Sequence, residues 1–474
     1  MLQSLRNSEL KFTKEFAKFF GLVLAVLLAG EAGAAVLCVL CIYWAAKDVD
    51  KGIKALTVSF LIFAVNPVLF HAPLSTVISL LRIVLIFVFA GKVITSNRAG
   101  MPVYYKALLG FLLVVTLITF YSSYESMVSI SKLFQFGLAA SSILLGFANS
   151  RKTVDYWINW FYTLFVLVVL LSLPFLAIPS VGFARNGTGF QGILNHPQAY
   201  AVFLSPYIAL LLAEVVFLQR HNRFNILMLL LGAGSLVLTQ GRTGLAAIVV
   251  AAGLLIIFAL FFHRSLLKQF GTPFRKLGGM VAILAIAVLV IFKYDDIQSS
   301  VYKFLLKRDT VADLKGSYNM SRGQKLGDQE RNIAAHPVFG IGFGLPSNRG
   351  DLEVQRDPIF DLPVGATVEK GLLFISVFEE IGYIGAFFFY LFLFILFRQF
   401  IRARSIALPW LVLAAFATNV GEATLFSFGG MGLFIWLLFG IGVMKPAPEV
   451  VPAAPSPQPV FPPSIFDNLA LSKS

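Results

Sequence analysis

The side chains of this 474-residue sequence best placed to grip an anion or move a proton fall in a few short stretches. Arg242 sits in Thr239-Gln-Gly-Arg-Thr-Gly244, a tight link between two apolar segments. A turn needs only the glycines. The arginine therefore snorkels or pairs with a buried acid, or it clamps an anion. Arg322 and Arg331 stand nine residues apart in a stretch, 319–335, that reads as helical. Nine residues is about two and a half turns, so the two lie on different faces and do not grip one group. Arg322 with Arg242 makes a pair for a phosphate or pyrophosphate, because each guanidinium holds two oxygens. A solvated helix with intrahelical ion pairs accounts for Arg322 and Arg331 equally well.

The proton-moving candidates lie close by. Glu369, Lys370, Glu379 and Glu380 frame the return into an apolar segment. Glu380 falls inside that segment, where an ionisable group marks function by default. Otherwise it pairs with Lys132 or Arg82, which also lie in apolar windows. Glu369, at the water boundary, is better placed to take a proton from an incoming hydroxyl. His196 stands in GTGFQGILNHPQAYA, residues 187–201, at a helix start where histidine is more often structural. His336-Pro337 leads into the glycine-rich Gly340-Ile-Gly-Phe-Gly344. The catalytic candidates are Glu369, Arg242 and Arg322. Arg331, His196, His336, Glu380 and Lys370 are the further substrate contacts, and no metal ligand set is evident.

The elements that must position these residues are membrane helices. Hydrophobic residues make up 58% of the chain and charged residues 13%, against about a quarter charged in a soluble domain. The fold class is an all-α polytopic integral membrane protein. Apolar windows fall at about 17–29, 33–46, 53–70, 74–94, 104–121, 126–148, 154–177, 196–218, 224–239, 243–262, 277–293, 371–397, 406–420 and 428–443. They give about 12–14 transmembrane helices. Residues 294–370 form the one long polar stretch, a water-facing loop large enough to carry function.

Loop charge sets the topology. Lys11, Lys14 and Lys18 precede the first window, and Lys47, Lys51 and Lys54 follow the second. Both ends read as cytoplasmic by the positive-inside rule, so the first two windows form a hairpin with Glu31 at its outer turn. Parity then places Lys92, Arg151, Arg220, Arg264 and Arg398 inside, and Arg185, Arg242 and the 294–370 loop outside. That loop holds ten basic and eleven acidic residues, so it carries no retention signal. Cleavage of the N-terminus as a signal peptide is disfavoured, because its polar lead of about eighteen residues is too long for an n-region.

The chain divides into a cytoplasmic N-terminus (1–18), a transmembrane bundle (19–293), the outer loop (294–370), C-terminal transmembrane helices (371–444) and a tail (445–474). Residues 446–463 contain eight prolines, so the tail reads as disordered and cytoplasmic. Both termini are then inside. The net charge of +14 is spread over short loops, which excludes a nucleic-acid surface and fits orientation signals and contact with anionic lipids. Residues 295–307 carry an apolar stripe suited to lying on the outer leaflet. Cys38 and Cys41 read as small residues of an apolar helix, without the polar neighbours a metal or redox pair needs.

Four of these stretches, in order, resemble the bacterial O-antigen ligase and polymerase superfamily. GTGFQGILNHPQAYA is similar to its glycine-rich loop, and TQGRTGLAA resembles its arginine-bearing helix start, with Gly241 in place of the usual serine. Arg322, fifteen residues before Pro337, with AHPVFGIGFG, resembles its arginine-to-HPLFG stretch, and EEIGYIG resembles its following helix. The resemblance covers roughly residues 180–390. It implies a GT-C-like fold and metal-independent, inverting glycosyl transfer at the periplasmic face of the bacterial inner membrane, with no cofactor. The donor would be an undecaprenyl-pyrophosphate-linked glycan and the acceptor a glycan or a lipid, with polysaccharide export machinery as a further partner. The family's two arginines fall on Arg242 and Arg322, which would hold the leaving pyrophosphate. The family's histidine base has no counterpart, since its position is Gly371-Leu372. Glu369, two residues earlier, is the substitute.

Three functions are in play. A polymerase or ligase of lipid-linked glycans is the first reading. Polymerase has the edge because the outer loop shows no basic cluster suited to a phosphorylated lipid acceptor. A flippase for the same lipids would spread charges through many helices around a central cavity, and here such charges are few. The third is a non-catalytic scaffold of an export complex.

Overall fold

The computed structural model describes residues 10–70, 76–97, 100–271, 324–356, 361, 363–367, 370–403 and 405–444. Arg322, Glu369, the 277–293 window, the 295–307 stripe and the tail from 445 lie outside the described residues. The other thirteen apolar windows are helices. They begin with α1 (Lys14–Leu27), α2 (Gly30–Lys47), α3 (Val49–Ala64) and the single turn α4 (Pro67–Phe70). Then come α5 (Thr76–Thr95), α6 (Val103–Ser122), α7 (Ser126–Ala148), α8 (Val154–Ser172) and the short α9 (Pro179–Gly182). The chain continues through α10 (Pro197–Leu212), α11 (Arg223–Leu238), α12 (Arg242–Phe262) and α13 (Arg264–Phe270). Beyond the undescribed stretch lie α14 (Gln324–Ala335), α15 (Leu373–Phe400), α16 (Ala407–Ala417) and α17 (Gly430–Val443). Among the described residues, eight helical spans are long and apolar enough to cross a membrane, and three shorter apolar helices accompany them. The protein is an all-α polytopic membrane protein.

The N-terminal hairpin is present. Leu27 ends α1 and Gly30, at φ +66°, starts α2. Gly33 lies so close to α1 that a Cβ there would meet the Val26 carbonyl. Glu15 pairs with Lys54 at 3.4 Å, so the start of α1 lies beside the start of α3. Asp48 joins α2 to α3 and caps α3 through its carboxylate, which satisfies N–H groups a helix start leaves open.

Residues that the charge pattern assigns to one side meet at one end of the bundle. There the Lys11 N–H donates to Asn159, Ser150 donates to Asp50 at 2.6 Å, and Asn149 donates to Asn97 at 3.1 Å. Residues assigned to the other side meet at the opposite end. Asn66 donates to the carbonyls of Val181 and Gly192, and Asn195 to that of Phe63. The core sits in α10, α16 and α17, which are buried at nearly every position, while α5 and α12 expose apolar side chains. Trp410 and Trp436 satisfy their indole N–H groups on the carbonyls of Ile248 and Leu425, as buried tryptophans usually do.

One element differs from the sequence reading. The described part of the 294–370 stretch contains a small antiparallel hairpin, β1 (Glu353–Arg356) with β2 (Pro363–Thr367). Ser131 of α7 donates to the Pro363 carbonyl at 2.6 Å and ties the hairpin to the bundle. Strands of four and five residues in polar surroundings are too short for an alternation to stand out.

Candidate functional site

The helix α15 is broken at Gly382, where φ is +60° and ψ −173°. Such a backbone strains any residue with a side chain, and a Cβ here would fall 2.3 Å from the Val338 carbonyl oxygen. The break exposes helix backbone groups that must find partners elsewhere. The His336-to-Gly344 segment supplies them. Ile341 N–H and Gly342 N–H donate to the carbonyls of Glu379 and Glu380, each at 2.9 Å. In return, Tyr383 N–H and Ile384 N–H donate to the carbonyls of Pro337 and Val338. The HPVFGIGFG and EEIGYIG stretches are thus two halves of one interlocked unit. Ser122 and Ser129 fasten it from α6 and α7, on the carbonyls of Phe339 and Phe343. Tyr124 donates to the Pro346 carbonyl. Burial pushes that phenol up to about 12, so it stays a donor at neutral pH.

Beneath this unit lies a cluster of buried charges. Lys370 Nζ is 2.8 Å from Glu379 and 3.1 Å from Glu380, and all three side chains are buried. Glu379 also accepts from Asn332 at 2.8 Å and Gln329 at 3.3 Å of α14. Glu380 accepts from the Gly344 N–H, and Lys132 Nζ donates to the Gly344 carbonyl at 2.7 Å. Two cations and two anions therefore balance. Buried charges are tolerated when paired and hydrogen-bonded in this way. The cluster holds α14 and the glycine-rich loop down onto α15.

At the same end, the 187–201 stretch packs on the turn that carries Arg242. Phe190 N–H donates to the Leu238 carbonyl at 2.9 Å. A Cβ on Gly189 would lie 2.7 Å from the Thr239 carbonyl oxygen, and one on Gly241 would lie 2.4 Å from the Ala201 methyl. Gln240 adopts φ +55°, and Arg242 follows as the first residue of α12, half-buried. A helix start favours anions. His196 caps α10, its Nδ1 accepting from the Gln198 N–H at 3.1 Å.

One loop joins the two halves of this end. Between α16 and α17, Gly421 lies against Thr243, with a Cβ there only 2.2 Å from the threonine hydroxyl. Two residues on, Ala423 N–H reaches the Lys370 carbonyl at 3.4 Å. Asn419 stiffens the loop by accepting from the Thr424 and Leu425 N–H groups. Arg242 and the membrane re-entry at Lys370 are thereby held beside the same short loop, with Glu422 between the two contacts.

The sequence candidates are placed as follows. Arg242 and the Lys370–Glu380 segment flank the same short loop, while Arg322 and Glu369 lie outside the described residues. Glu380 pairs with Lys370, not with Arg82, and Lys132 reaches it through Gly344. Arg331 is 79% exposed and pairs with Asp328 on the far face of α14 from Gln329 and Asn332. His336 is exposed at the end of α14, and its backbone bonds to Asn332 and Gly340. Cys38 and Cys41 are buried thiols in α2. Sequence reasoning missed Gln329, Asn332, Asn419 and Glu422. A polar residue in the lone acidic link GEATLFSFGG was the available signal for the last.

Residues 227–367 match the family model described as O-Antigen ligase. This match supports the resemblance of the chain to the O-antigen ligase and polymerase superfamily. No curated protein matches it. The matched region spans the Arg242 turn, the outer loop, α14 and the glycine-rich segment. It supports glycosyl transfer of the O-antigen ligase and polymerase type, acting on lipid-linked glycan and acceptor in a membrane.

Proposed function

We propose that the protein transfers a glycan from an undecaprenyl-pyrophosphate carrier to an acceptor hydroxyl, with inversion, at the periplasmic face of the bacterial inner membrane. The observation that carries this reading is the joining of the Arg242 turn and the Lys370 re-entry by one loop, through Gly421 and Ala423. In this reading Arg242, half-buried at the start of α12, binds the anion. Arg322, upstream of α14, and Glu369, next to Lys370, complete the reading from sequence.

The chemistry divides among these residues. Glu369 takes the proton of the acceptor hydroxyl. The acceptor oxygen attacks the anomeric carbon from the face opposite the pyrophosphate, and the bond from that carbon to the pyrophosphate oxygen breaks. Arg242 and Arg322 take up the negative charge that develops on the leaving group, as preorganised donors do most effectively. Neither step calls for a metal, so chelators leave the rate unchanged. The Lys370–Glu379–Glu380–Lys132 cluster holds the loop in place and does not touch substrate.

Both termini face the cytoplasm in this reading, and the acceptor is another lipid-linked repeat, which makes the protein a polymerase. The glycan profile of a deletion strain tests it. Single unpolymerised repeats are expected. Long chains left on the carrier lipid would instead make it a ligase, and loss of outward-facing intermediates would make it a flippase. Cysteine labelling at 240–243 and in the outer loop from the periplasmic side checks the orientation, and labelling from the cytoplasm would sink the mechanism.

A further inference from the structure

Arg82 is a charged residue in the middle of an apolar helix, and its surroundings differ from those of every other buried charge described above. It lies six residues after Thr76, the start of α5, about 9 Å along the axis, toward the end that holds Arg242. Its guanidinium is stacked between two phenylalanine rings, 4.1 Å from the centroid of Phe63 and 4.7 Å from that of Phe428. Its Nε is buried with no hydrogen-bond partner, and no carboxylate pairs with it among the described residues. Gly429 lies directly on the guanidinium, since a Cβ there would fall 2.3 Å from Nη1. Aromatic faces offset only part of the cost of taking a cation out of water.

An ionisable side chain at this depth is retained for an anion it meets. Two further features say which kind. The helix exposes Val77, Val84 and Phe87 along its outside, a stripe suited to an apolar tail. The loop that covers Arg82 with Phe428 and Gly429 is the one that touches Thr243 through Gly421 and Lys370 through Ala423. A lipid phosphate sliding in along α5 would meet Arg82 at one end of this loop and Arg242 at the other.

We propose that Arg82 binds the pyrophosphate of the polyprenyl-linked donor as it enters laterally from the bilayer, ahead of its capture by Arg242. This rests on the glycosyl-transfer reading above. The side chain is a lipid-phosphate contact, and the loop between α16 and α17 is the bridge between the entry and transfer positions. The same guanidinium chemistry would hold the phosphate of a membrane phospholipid, so the test separates the two.

The full-length protein in nanodiscs is titrated with undecaprenyl pyrophosphate and, separately, with inorganic pyrophosphate. R82Q is expected to weaken binding of the lipid about 10–100-fold, the loss typical of charge-assisted hydrogen bonds, and to weaken inorganic pyrophosphate less, because without the lipid tail it reaches Arg242 from water. G429A keeps the charge but displaces the guanidinium, and is expected to weaken lipid binding in the same direction. Gly429 has φ −119°, so alanine fits its backbone. The thermal midpoint of ligand-free R82Q is expected to match or exceed that of the wild type, because no partner is left unpaired. Equal lipid affinity in R82Q and wild type overturns the proposal while leaving the transfer reading intact. So does loss of a co-purifying phospholipid, seen by native mass spectrometry, without loss of undecaprenyl pyrophosphate. Failure of the wild type itself to bind undecaprenyl pyrophosphate overturns both.

Discussion

Two groups of charged side chains lie toward the same end of the bundle and are built on opposite plans. Lys370, Glu379 and Glu380 are buried and, with half-buried Lys132, balanced, and they are tied to the Gly344 backbone and to α14. The two arginines are set differently, at a helix start and between aromatic rings. Arg242 is half-buried at a helix start, and Arg82 lies between aromatic rings with its Nε unbonded. A closed cluster offers nothing to a ligand and contributes rigidity. Arg82, with its Nε buried and unbonded, costs stability, and an anion would offset that cost in the proposed reading. In the proposed reaction the difference separates the part that holds the glycine-rich segment in place from the part that meets the substrate, although both consist of charges at one end of an apolar protein.

The sharpest break of this division is at the base. Glu369→Gln keeps shape and most hydrogen bonding, so donor binding should survive while turnover falls about 10²–10⁴-fold. A carboxylate serves as base only when ionised. The wild-type rate should therefore fall as pH drops through a single ionisation, and this limb should be missing in the variant. Near-normal turnover in Glu369→Gln with a dead but stably folded Glu380→Gln would move the base into the cluster and abolish the division.

Next in size comes the cluster itself. Lys370→Met leaves two buried carboxylates facing each other and should cost about 3–5 kcal/mol of stability, as breaking a buried pair does. The measurement is the thermal midpoint, and activity should fall only as far as the folded fraction falls. A stable Lys370→Met protein with lost transfer would make Lys370 a substrate contact. Arg242→Ala should behave in the reverse way. It should lose about 10²–10³-fold in transfer, the range for a removed charge-stabilising donor, with an unchanged thermal midpoint. Lysine should restore little, because a point charge lacks the two-pronged grip. Full activity in Arg242→Lys would make the residue purely structural.

The sequence carries the two plans unequally. Helices were legible because continuous apolar runs of bilayer length admit no other structure, and the hairpin at Gly30 followed from lysines on both flanks. The arginine turn stood out because the charge pattern assigns Arg242 to the side poor in lysine and arginine, where it needs a reason. The cluster was not. Glu380 had two cations in apolar windows, Lys132 and Arg82, as possible partners, and the true one is Lys370, ten residues upstream. That choice depends on the Gly382 break, which turns the Glu379 and Glu380 carbonyls over to Ile341 and Gly342. Glycine is common in membrane helices, so nothing local distinguishes one that breaks the helix from one that packs. The interlock is a long-range backbone match between two motifs, and periodicity does not report such matches.

The smallest expected effect tests which face of α14 matters. Gln329 and Asn332 point from this helix to Glu379, whereas Arg331 is exposed and bonded to Asp328 three residues before it. An exposed pair of this kind is worth about 0.2–1 kcal/mol, and alanine recovers part of that through its higher helix propensity. Arg331→Ala should therefore leave the thermal midpoint nearly unchanged and transfer within about twofold, a shift under about 0.5 kcal/mol. Asn332→Ala, one residue away, removes a hydrogen bond to a buried carboxylate. It should cost about 1.5–3 kcal/mol, read as a lower thermal midpoint. The contrast between neighbours is the informative quantity, because both substitutions alter the same short helix. If Arg331→Ala instead loses an order of magnitude in transfer while Asn332→Ala is silent, α14 turns its outer face to the donor. The buried face would then not be what fixes its position during the reaction.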